Sequence, residues 1–253
     1  MSTTHQPLGI DIGGSGIKGA PVDLQRGEFA AERLRIETPQ PSTPDAVADV
    51  VAEICDHFAD QTGDSPIGVT FPAVVTSGVV RSAANVDKTW VGTDAQRLIS
   101  ARVGRQVVVV NDADAAGVGE LHYGAARNCD GLVLVATLGT GIGSALLNCG
   151  ALVPNTELGH LEIDGYDAES RAANSAREAE GLSWEQWAGR LQRYFGAVED
   201  LFWPDLIVIG GGVSKKSERY LPHLHLRAPI VPAQLANAAG IIGAAWLAEQ
   251  ASR

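Results

Sequence analysis

One pattern that occurs twice constrains the fold of this chain more than any other feature. Residues 8–20 and residues 133–145 each run from an apolar segment through a glycine-rich turn into a second apolar segment. The two turns read Gly13-Gly14-Ser15-Gly16 and Gly139-Thr140-Gly141. An internal repeat describes whole supersecondary units, so it outranks a local motif. The repeat predicts two related halves that each present a strand–turn–strand hairpin toward one cleft; a coincidence of two glycine-rich hairpins is the alternative.

The first turn also matches a dinucleotide-binding pattern, Gly14-x-Gly16-x-x-Gly19. That pattern has its usual meaning only where a helix follows it. Pro21 stands where the helix would continue, and a proline there disfavours a helix. We therefore expect a hairpin whose backbone N–H groups cradle phosphate. Lys18, just beyond the turn, adds a positive charge there, unless it is an ordinary solvated lysine of the strand.

A run of four valines, residues 107–110, predicts a strand buried on both faces of a parallel sheet. The run ends in Asn111-Asp112, and an alanine-rich helix is predicted over residues 113–123. Open α/β sheets bind ligands at the carboxyl ends of their strands. Asp112 is therefore a candidate general base, and Asn111 is a candidate for holding its substrate. The alternative is that Asp112 only caps the helix that follows.

The sequence offers further polar side chains for binding hydroxyl groups. Glu157 and His160 lie three residues apart, and a carboxylate together with an imidazole can form hydrogen bonds to neighbouring hydroxyls of one ligand. Asn85 stands in a polar loop and is either a hydroxyl ligand or a turn residue. Glu169 precedes a helix, where spacing alone favours an ordinary surface charge. A metal site at Glu157 and His160 would need more ligands, and no cysteine lies nearby.

Glycines also follow a third apolar segment. Residues 206–209 predict a buried strand, which runs into Gly210-Gly211-Gly212. A tight turn needs one glycine, whereas three let a charged or flat ligand approach the backbone. The remaining pattern predicts a strand over residues 30–38 and helices that begin near residues 44, 170, 183 and 233. Between residues 183 and 202, large apolar residues recur at intervals of three and four, which indicates a stripe that faces the core.

Composition excludes several classes of function. The net charge is -11, whereas nucleic-acid-binding domains carry a basic stripe. The three cysteines are isolated, which fits a reducing cytosol and argues against a cysteine-rich zinc site. No apolar run is long enough for a membrane span, and we expect no secretory signal at the N-terminus. We expect a cytoplasmic protein that binds neither membrane nor nucleic acid.

Taken together and in order, these motifs resemble those of the ROK sugar kinases. The motifs are Asp11-Ile12-Gly13-Gly14, Asn111-Asp112, Leu138-Gly139-Thr140-Gly141, Glu157-Leu158-Gly159-His160 and Gly210-Gly211-Gly212. Residues 84–94 and 137–144 are similar to the polyphosphate glucokinases and glucomannokinases of that family. The resemblance implies an α/β chain with the actin-like ATPase (ribonuclease-H-like) fold, in which two related α/β domains flank a cleft. It places residues 1–110, joined by a C-terminal helix at about 240–253, in the smaller domain and residues 111–239 in the larger.

The resemblance also implies roles for single residues. Asp112 takes the proton from the 6-hydroxyl of glucose, and mannose is implied as a second acceptor. The residues implied to bind sugar hydroxyls are Asn85, Asn111, Asp112, Glu157, His160 and Glu169. The residues implied to face the phosphoryl donor, polyphosphate or ATP, are Asp11, Gly13, Gly14, Ser15, Gly16, Lys18, Thr137, Gly139, Thr140, Gly141, Gly211 and Gly212. Asp11 is also implied to reach the Mg2+ that accompanies the donor.

The chain departs from the family in two ways. Many ROK members carry a cysteine-rich zinc motif after the Gly-His pair, but residues 161–171 contain no cysteine, so we expect no structural zinc. ROK repressors carry an N-terminal helix-turn-helix, for which we expect no room before a strand that begins near residue 8. An ATP-only hexokinase or amino-sugar kinase, a non-catalytic sugar sensor and an actin-class chaperone are the alternatives. The sequence leaves open whether the chain forms a homodimer.

Overall fold

The computed structural model describes residues 5–83 and 86–253, and the chain divides into two compact units. The first unit runs through Gly119 and takes in Ala238–Arg253, and the second is Glu120–Asn237. Residues 111–119, which the sequence analysis assigned to the larger domain, lie in the first unit. Beyond Asn111, which ends a strand, they belong to a helix that packs within this unit, where Gly119 meets the backbone of Ala239 and Gly243 meets that of Ala115.

The first unit is built on one main sheet. Its strands are β1 (Leu8–Gly13), β2 (Gly16–Asp23), β3 (Glu28–Phe29), β4 (Leu34–Ile36), β5 (Ile67–Phe71) and β8 (Val107–Asn111), and a separate small hairpin joins β6 (Val75–Thr76) to β7 (Val79–Val80). The strand order of the main sheet is β3-β2-β1-β5-β8, with β4 also paired to β2. β1 and β2 form the predicted antiparallel hairpin, while β5 runs parallel to β1 and β8 parallel to β5. The valine run is thus a strand of a parallel array, as predicted.

The strand predicted over residues 30–38 is wrong in extent. The chain pairs with β2 only at β3 and β4, and it leaves the ladder between them. Pro21 of β2 lies opposite this gap and has no N–H to offer a partner strand. Pairing therefore resumes only at Leu34, opposite Gly19.

The helices of the first unit begin and end at recognisable signals. They are α1 (Pro44–His57), α2 (Ala59–Thr62), α3 (Ala95–Val103) and α4 (Asp112–Tyr123), and a short 3-10 turn spans Lys88–Trp90. Pro44 occupies the first turn of α1, where its missing N–H costs nothing. The Asp94 side chain accepts from Arg97 N at 2.8 Å and caps the start of α3, and Gly104, with φ 68°, caps its end.

The second unit repeats the plan of the first. Its sheet has the order β11-β10-β9-β14-β15, formed by β9 (Leu132–Leu138), β10 (Ile142–Asn148), β11 (Ala151–Val153), β14 (Leu206–Gly210) and β15 (Ile230–Pro232). β9 and β10 form the second glycine-turn hairpin, and β14 runs parallel to β9. A small hairpin of β12 (Glu162–Ile163) and β13 (Tyr166–Asp167) stands apart. The predicted repeat is therefore present as two sheets of matching topology.

Helices of the second unit are α5 (Glu169–Ala172), α6 (Asn174–Ala179) and α7 (Trp184–Phe202), with 3-10 segments at Leu158–His160, Gly212–Arg219 and Leu221–His223. The single helix predicted from residue 170 is two short ones, because Ala173 adopts an extended conformation between them. α7 begins at a capping box of Ser183 and Gln186. Its stripe of large side chains is buried from Trp187 to Val198, as predicted, while Trp184 and Phe202 at its two ends are partly buried.

The last helix, α8 (Ala239–Ala251), belongs to the first unit and lies in backbone contact with its sheet. A β-carbon on Gly68 would lie 1.9 Å from the Ala244 carbonyl oxygen, which accounts for the small residues on both sides. The predicted start at residue 233 is wrong. The buried Glu120 carboxylate accepts from Gln234 N at 3.0 Å and Leu235 N at 2.8 Å, and these bonds hold the approach in a non-helical path. Within the described residues, no helix has the length and apolar composition that crossing a membrane requires.

Candidate active site

The first glycine-turn hairpin carries a fixed carboxylate, Asp11 on β1. Its Oδ2 accepts from Lys18 Nζ at 3.1 Å, and its Oδ1 accepts from Thr70 Oγ1 at 2.8 Å. Lys18 lies on β2 and Thr70 on β5, so both neighbouring strands aim the carboxylate. Asp11 stays partly exposed, which leaves its oxygens accessible to an ion or a phosphate. Lys18 is therefore an ion-pair partner of Asp11 and not simply a solvated lysine.

Two residues of this region escaped the sequence analysis. Thr70 is fully buried and contacts Asp11 only because β1 and β5 are paired across 59 residues of chain. Arg35 on β4 donates from Nη2 to the Ser15 carbonyl oxygen at 2.8 Å, which brings a second cation to the turn. Neither residue stands in a local motif, so only the strand order could have revealed them.

Asn111, the last residue of β8, caps α4. Its Oδ1 accepts from Ala113 N at 2.8 Å and from Asp114 N at 3.0 Å, while its Nδ2 donates to the Ala73 carbonyl oxygen at 3.1 Å. Asn111 is buried, and these bonds occupy most of the hydrogen-bonding capacity of its amide. We therefore treat Asn111 as the residue that positions its neighbour, a role that the sequence analysis had not given it.

Asp112 is the exposed carboxylate at the junction of β8 and α4. Its Oδ1 accepts from Ala113 N at 2.8 Å, but Asn111 supplies the bond to the third residue of the helix. The explanation that Asp112 is present only as a cap is therefore unnecessary. Its position at the carboxyl end of a parallel strand is the position predicted for a base that meets ligand.

The second glycine turn is braced by α6. Gly139 N donates to the Gly141 carbonyl oxygen at 3.0 Å within the turn, and Ser175 N donates to the Gly139 carbonyl oxygen at 3.1 Å. The Ser175 hydroxyl also bonds the Thr140 carbonyl oxygen, at 2.5 Å. The turn of this hairpin is consequently held from outside and presents a preformed backbone surface.

The third glycine segment lies against this second hairpin. Gly211 has φ 79°, and a β-carbon there would lie 2.4 Å from the Leu138 carbonyl oxygen. Gly210 pairs in register with Thr137. The structure thus brings together the predicted donor residues of the second unit, which are Thr137, Gly139, Thr140, Gly141, Gly211 and Gly212.

Four polar side chains form a second group in the same unit. His160 Nδ1 lies 2.8 Å from Asp167 Oδ2, His160 Nε2 lies 4.0 Å from Glu157 Oε2, and Glu169 Oε1 lies 4.0 Å from His160 Nδ1. Glu169 Oε2 accepts from Ile142 N at 2.9 Å, directly after the second glycine turn. Glu169 is therefore part of the group, contrary to the surface charge that spacing alone had favoured. Asp167 was missed, since it lies seven residues beyond His160 on the small β12–β13 hairpin.

The charges of this group act on one another. The hydrogen bond that His160 donates to the Asp167 carboxylate is the largest cause of a raised pKa at His160, with the nearby Glu169 and Glu157 carboxylates adding to it. Desolvation raises the pKa of Glu157. Since Asp167 occupies Nδ1, the Nε2 of His160 is the ring nitrogen left to meet a ligand. It accepts a hydrogen bond when the ring is neutral and donates one when the ring is charged.

One group of side chains among the described residues could hold a metal ion. It consists of His160, Asp167 and Glu169, whose ligand atoms lie within 4.8 Å of one another. Structural zinc sites are usually closed by four ligands, often cysteines. This group has three, and the ring nitrogen of its histidine is already bonded to a carboxylate. The arrangement is better suited to hydrogen bonding with sugar hydroxyls than to holding a structural zinc ion. Asn85, the remaining predicted sugar ligand, lies outside the described residues.

Comparison with known proteins decides the family. The sequence model that describes the ROK family matches residues 7–172 of this chain. The chain belongs to the ROK family. Its two-unit α/β architecture agrees with the actin-like ATPase fold that the resemblance had implied.

Three known proteins are similar to this chain over nearly their whole length. The chain is 51% identical to a polyphosphate glucokinase of Mycobacterium tuberculosis over 96% of this chain and 91% of that protein. The crystal structure of an inorganic polyphosphate/ATP-glucomannokinase from Arthrobacter sp. strain KM has a TM-score of 0.93 and 55% identity, with 98% of this chain and 100% of that chain covered. A glucokinase of Streptomyces coelicolor is more distant, at 27% identity over 96% of this chain and 97% of that protein.

Proposed function

We propose that this chain is a glucokinase that transfers a phosphoryl group from polyphosphate or ATP to the 6-hydroxyl of glucose. The observation that carries the proposal is the Asn111–Asp112 junction. It presents an exposed carboxylate at the end of β8, in a chain 51% identical to a polyphosphate glucokinase. The likeness to a glucomannokinase, at 55% identity, supports mannose as a second acceptor.

Asp112 acts as the general base. Phosphoryl transfer asks a protein mainly for positioning and for stabilisation of charge, because the transferred group passes through a loose transition state. A carboxylate suffices to accept the hydroxyl proton as attack develops. The bonds that Asn111 makes to Ala113, Asp114 and Ala73 hold the base in one orientation.

The second unit supplies the groups for the sugar. Glu157 and Glu169 accept hydrogen bonds from sugar hydroxyls, and His160 contributes its Nε2. Such a polar set discriminates well between substrates, since a sugar that lacks one hydroxyl leaves a protein group unpaired. The Gly159 backbone, whose β-carbon would lie 2.2 Å from the Ile142 carbonyl oxygen, keeps this group against the second hairpin.

Each glycine turn, taken within its own unit, is suited to donor phosphates, because the backbone N–H groups of such turns can bind anions. Asp11 fits the Mg2+ of the donor, because Mg2+ binds through one or two carboxylates together with phosphate oxygens. Thr70 and Lys18 already aim this carboxylate. When bound, the ion neutralises charge on the transferred phosphoryl group. Lys18 adds a positive charge to that of the ion at the same turn.

We place the reaction in the cytoplasm, where ATP is available.

A matrix of acceptors and donors tests the proposal. Purified protein with Mg2+ is assayed with glucose, mannose, N-acetylglucosamine and N-acetylmannosamine, each with ATP and with nucleotide-free long-chain polyphosphate. We expect turnover of glucose with both donors and loss of nearly all of it in Asp112→Asn. Turnover with ATP alone would reduce the assignment to an ATP-dependent ROK glucokinase. Turnover of the acetylated sugars alone would make the chain an amino-sugar kinase, and glucose binding without turnover would make it a sensor.

A further inference from the structure

Three cationic side chains surround one tryptophan ring in the second unit. Arg177 Cζ lies 4.2 Å from the centroid of the Trp184 ring, and Lys216 Nζ and Arg219 Cζ each lie 5.8 Å from it. These distances are within the range of cation–π attraction. We call these four residues the Trp184 platform. Such a concentration of positive charge stands out in a chain whose net charge is -11.

The ring at the centre of the platform is held in place. Trp184 stacks on Tyr220 with ring centroids 6.0 Å apart and an interplanar angle of 17°. Tyr220 is fully buried and also meets Trp187 at 4.9 Å. Trp184 itself remains only partly buried. A half-exposed ring on a buried aromatic base is a fixed surface for charged groups.

The charge of the platform is only partly neutralised from within. Arg177 donates to Asn174 Oδ1 at 2.9 Å and to Glu178 Oε1 at 3.0 Å, so its charge is engaged. Arg219 Nε lies 3.8 Å from Glu218 Oε1, a long and exposed pair. Among the described residues, Lys216 forms no ion pair within 4.0 Å, and neither does the exposed Lys215 beside it. The platform therefore keeps a positive surplus toward solvent.

Both elements that carry these cations begin close to the second glycine turn. Ser175 bonds the backbone of Gly139 and Thr140, and Arg177 lies two residues further along the same helix, α6. The segment Gly212–Arg219 starts directly after Gly211, which abuts Leu138, and it carries the other two cations. The platform is thus continuous with the candidate donor surface of the second unit.

We propose that the Trp184 platform binds distal phosphates of a polyphosphate donor, beyond those held at the second glycine turn. This inference rests on the proposed function. A long polyphosphate is a polyanion that a strongly acidic protein repels overall, so its binding needs a local positive surface. ATP carries three phosphates, and its triphosphate is expected to end near the glycine turns. The platform therefore serves the longer donor and sets its affinity.

The test compares donors in the double variant Lys216→Ala, Arg219→Ala. The KM for long-chain polyphosphate is expected to rise about tenfold, which corresponds to about 1.4 kcal/mol for the two exposed charges together. The KM for ATP and kcat with ATP are expected to stay within about twofold of wild type. Because binding of a polyanion releases counterions, the dependence of the polyphosphate KM on salt should also weaken in the variant.

Arg227→Ala is the matched control. Arg227 makes the same kind of contact on the same unit, with its Cζ 4.0 Å from the Trp203 ring and an ion pair to Asp200 at 3.0 Å. It lies on neither of the two elements that begin close to the second glycine turn. Its removal should leave the KM for both donors unchanged, which separates the platform from a general loss of surface charge.

A binding measurement keeps this inference separate from the proposed function. Long-chain polyphosphate is titrated into the full chain without sugar, and tryptophan fluorescence is followed in the wild type and in Trp184→Phe. We expect a response that disappears in the variant. Absence of wild-type turnover with polyphosphate refutes the proposed donor, whatever the platform does. Given such turnover, an unchanged polyphosphate KM in the double variant overturns the inference. A rise in the KM for ATP that equals or exceeds the rise for polyphosphate overturns it as well, because the platform would then bind a nucleotide.

Discussion

Replacing Asn111 by alanine removes three buried hydrogen bonds at once. Loss of a helix cap costs about 1 kcal/mol, and a buried carbonyl left without its donor costs about 1–3 kcal/mol. The two Oδ1 bonds form the cap of α4, and the Nδ2 bond satisfies the Ala73 carbonyl oxygen. Asn111→Ala should therefore lower the free energy of unfolding by about 2–4 kcal/mol. Because the same bonds orient Asp112, kcat should fall while the KM for glucose changes little.

Urea unfolding at equilibrium measures the first effect and steady-state kinetics the second. Asn128→Ala is a matched control, since Asn128 is exposed and its removal should change the free energy of unfolding by less than about 0.5 kcal/mol. A change below that level in Asn111→Ala would refute the account of the cap. A large rise in glucose KM at unchanged kcat would show instead that Asn111 binds the sugar directly.

Three further predictions concern other parts of the chain. Asp167→Asn should lower the pKa of His160, as followed by NMR titration. Since that pKa is raised in the folded state, the stability contributed by the pair is present below the ordinary histidine pKa of about 6.5 and lost as pH rises through the raised value, so the variant should be less stable than wild type at acidic pH only. Lys18→Met should raise the KM for ATP and for polyphosphate alike, because it removes the ammonium that lies 3.1 Å from Asp11; an effect on one donor alone would contradict this placement. Gly243→Ala should lower the urea midpoint although alanine favours helices by about 1 kcal/mol, because its β-carbon would lie 1.8 Å from a backbone carbonyl oxygen and force α8 to move; an unchanged or higher midpoint would show that the contact relaxes freely.

The parts of the fold that could be predicted are those with a local signature. The valine run ending at Asn111, the two glycine turns and the start of α7 near residue 183 are each marked by a short pattern within the local sequence. The repeat then joined the local pieces into two related sheets. By contrast, the predicted strand over residues 30–38 ignored Pro21 on the partner strand. The predicted start of the last helix ignored Glu120, which holds residues 234 and 235 from far along the chain.

The candidate site follows the same division. Asp112 could be found because it ends a recognisable strand, and His160 because it stands beside Glu157. Thr70 could not, since it reaches Asp11 only through strand pairing. Asp167 could not either, because a small hairpin folds it back onto His160. Residues that position a site are thus harder to predict than residues proposed to meet the ligand, because their partners are set by the tertiary structure.

The most direct test of the central claim follows the phosphorus atom itself. Wild-type protein and Asp112→Asn are incubated with glucose, Mg2+ and nucleotide-free polyphosphate, and 31P NMR follows the appearance of glucose 6-phosphate. We expect this resonance to grow with wild-type protein and to be nearly absent with the variant, while both proteins unfold at the same urea concentration. Growth of the resonance at a comparable rate with the variant would contradict the role of Asp112. Its absence with wild-type protein, under conditions in which ATP supports the reaction, would contradict the role of polyphosphate as donor.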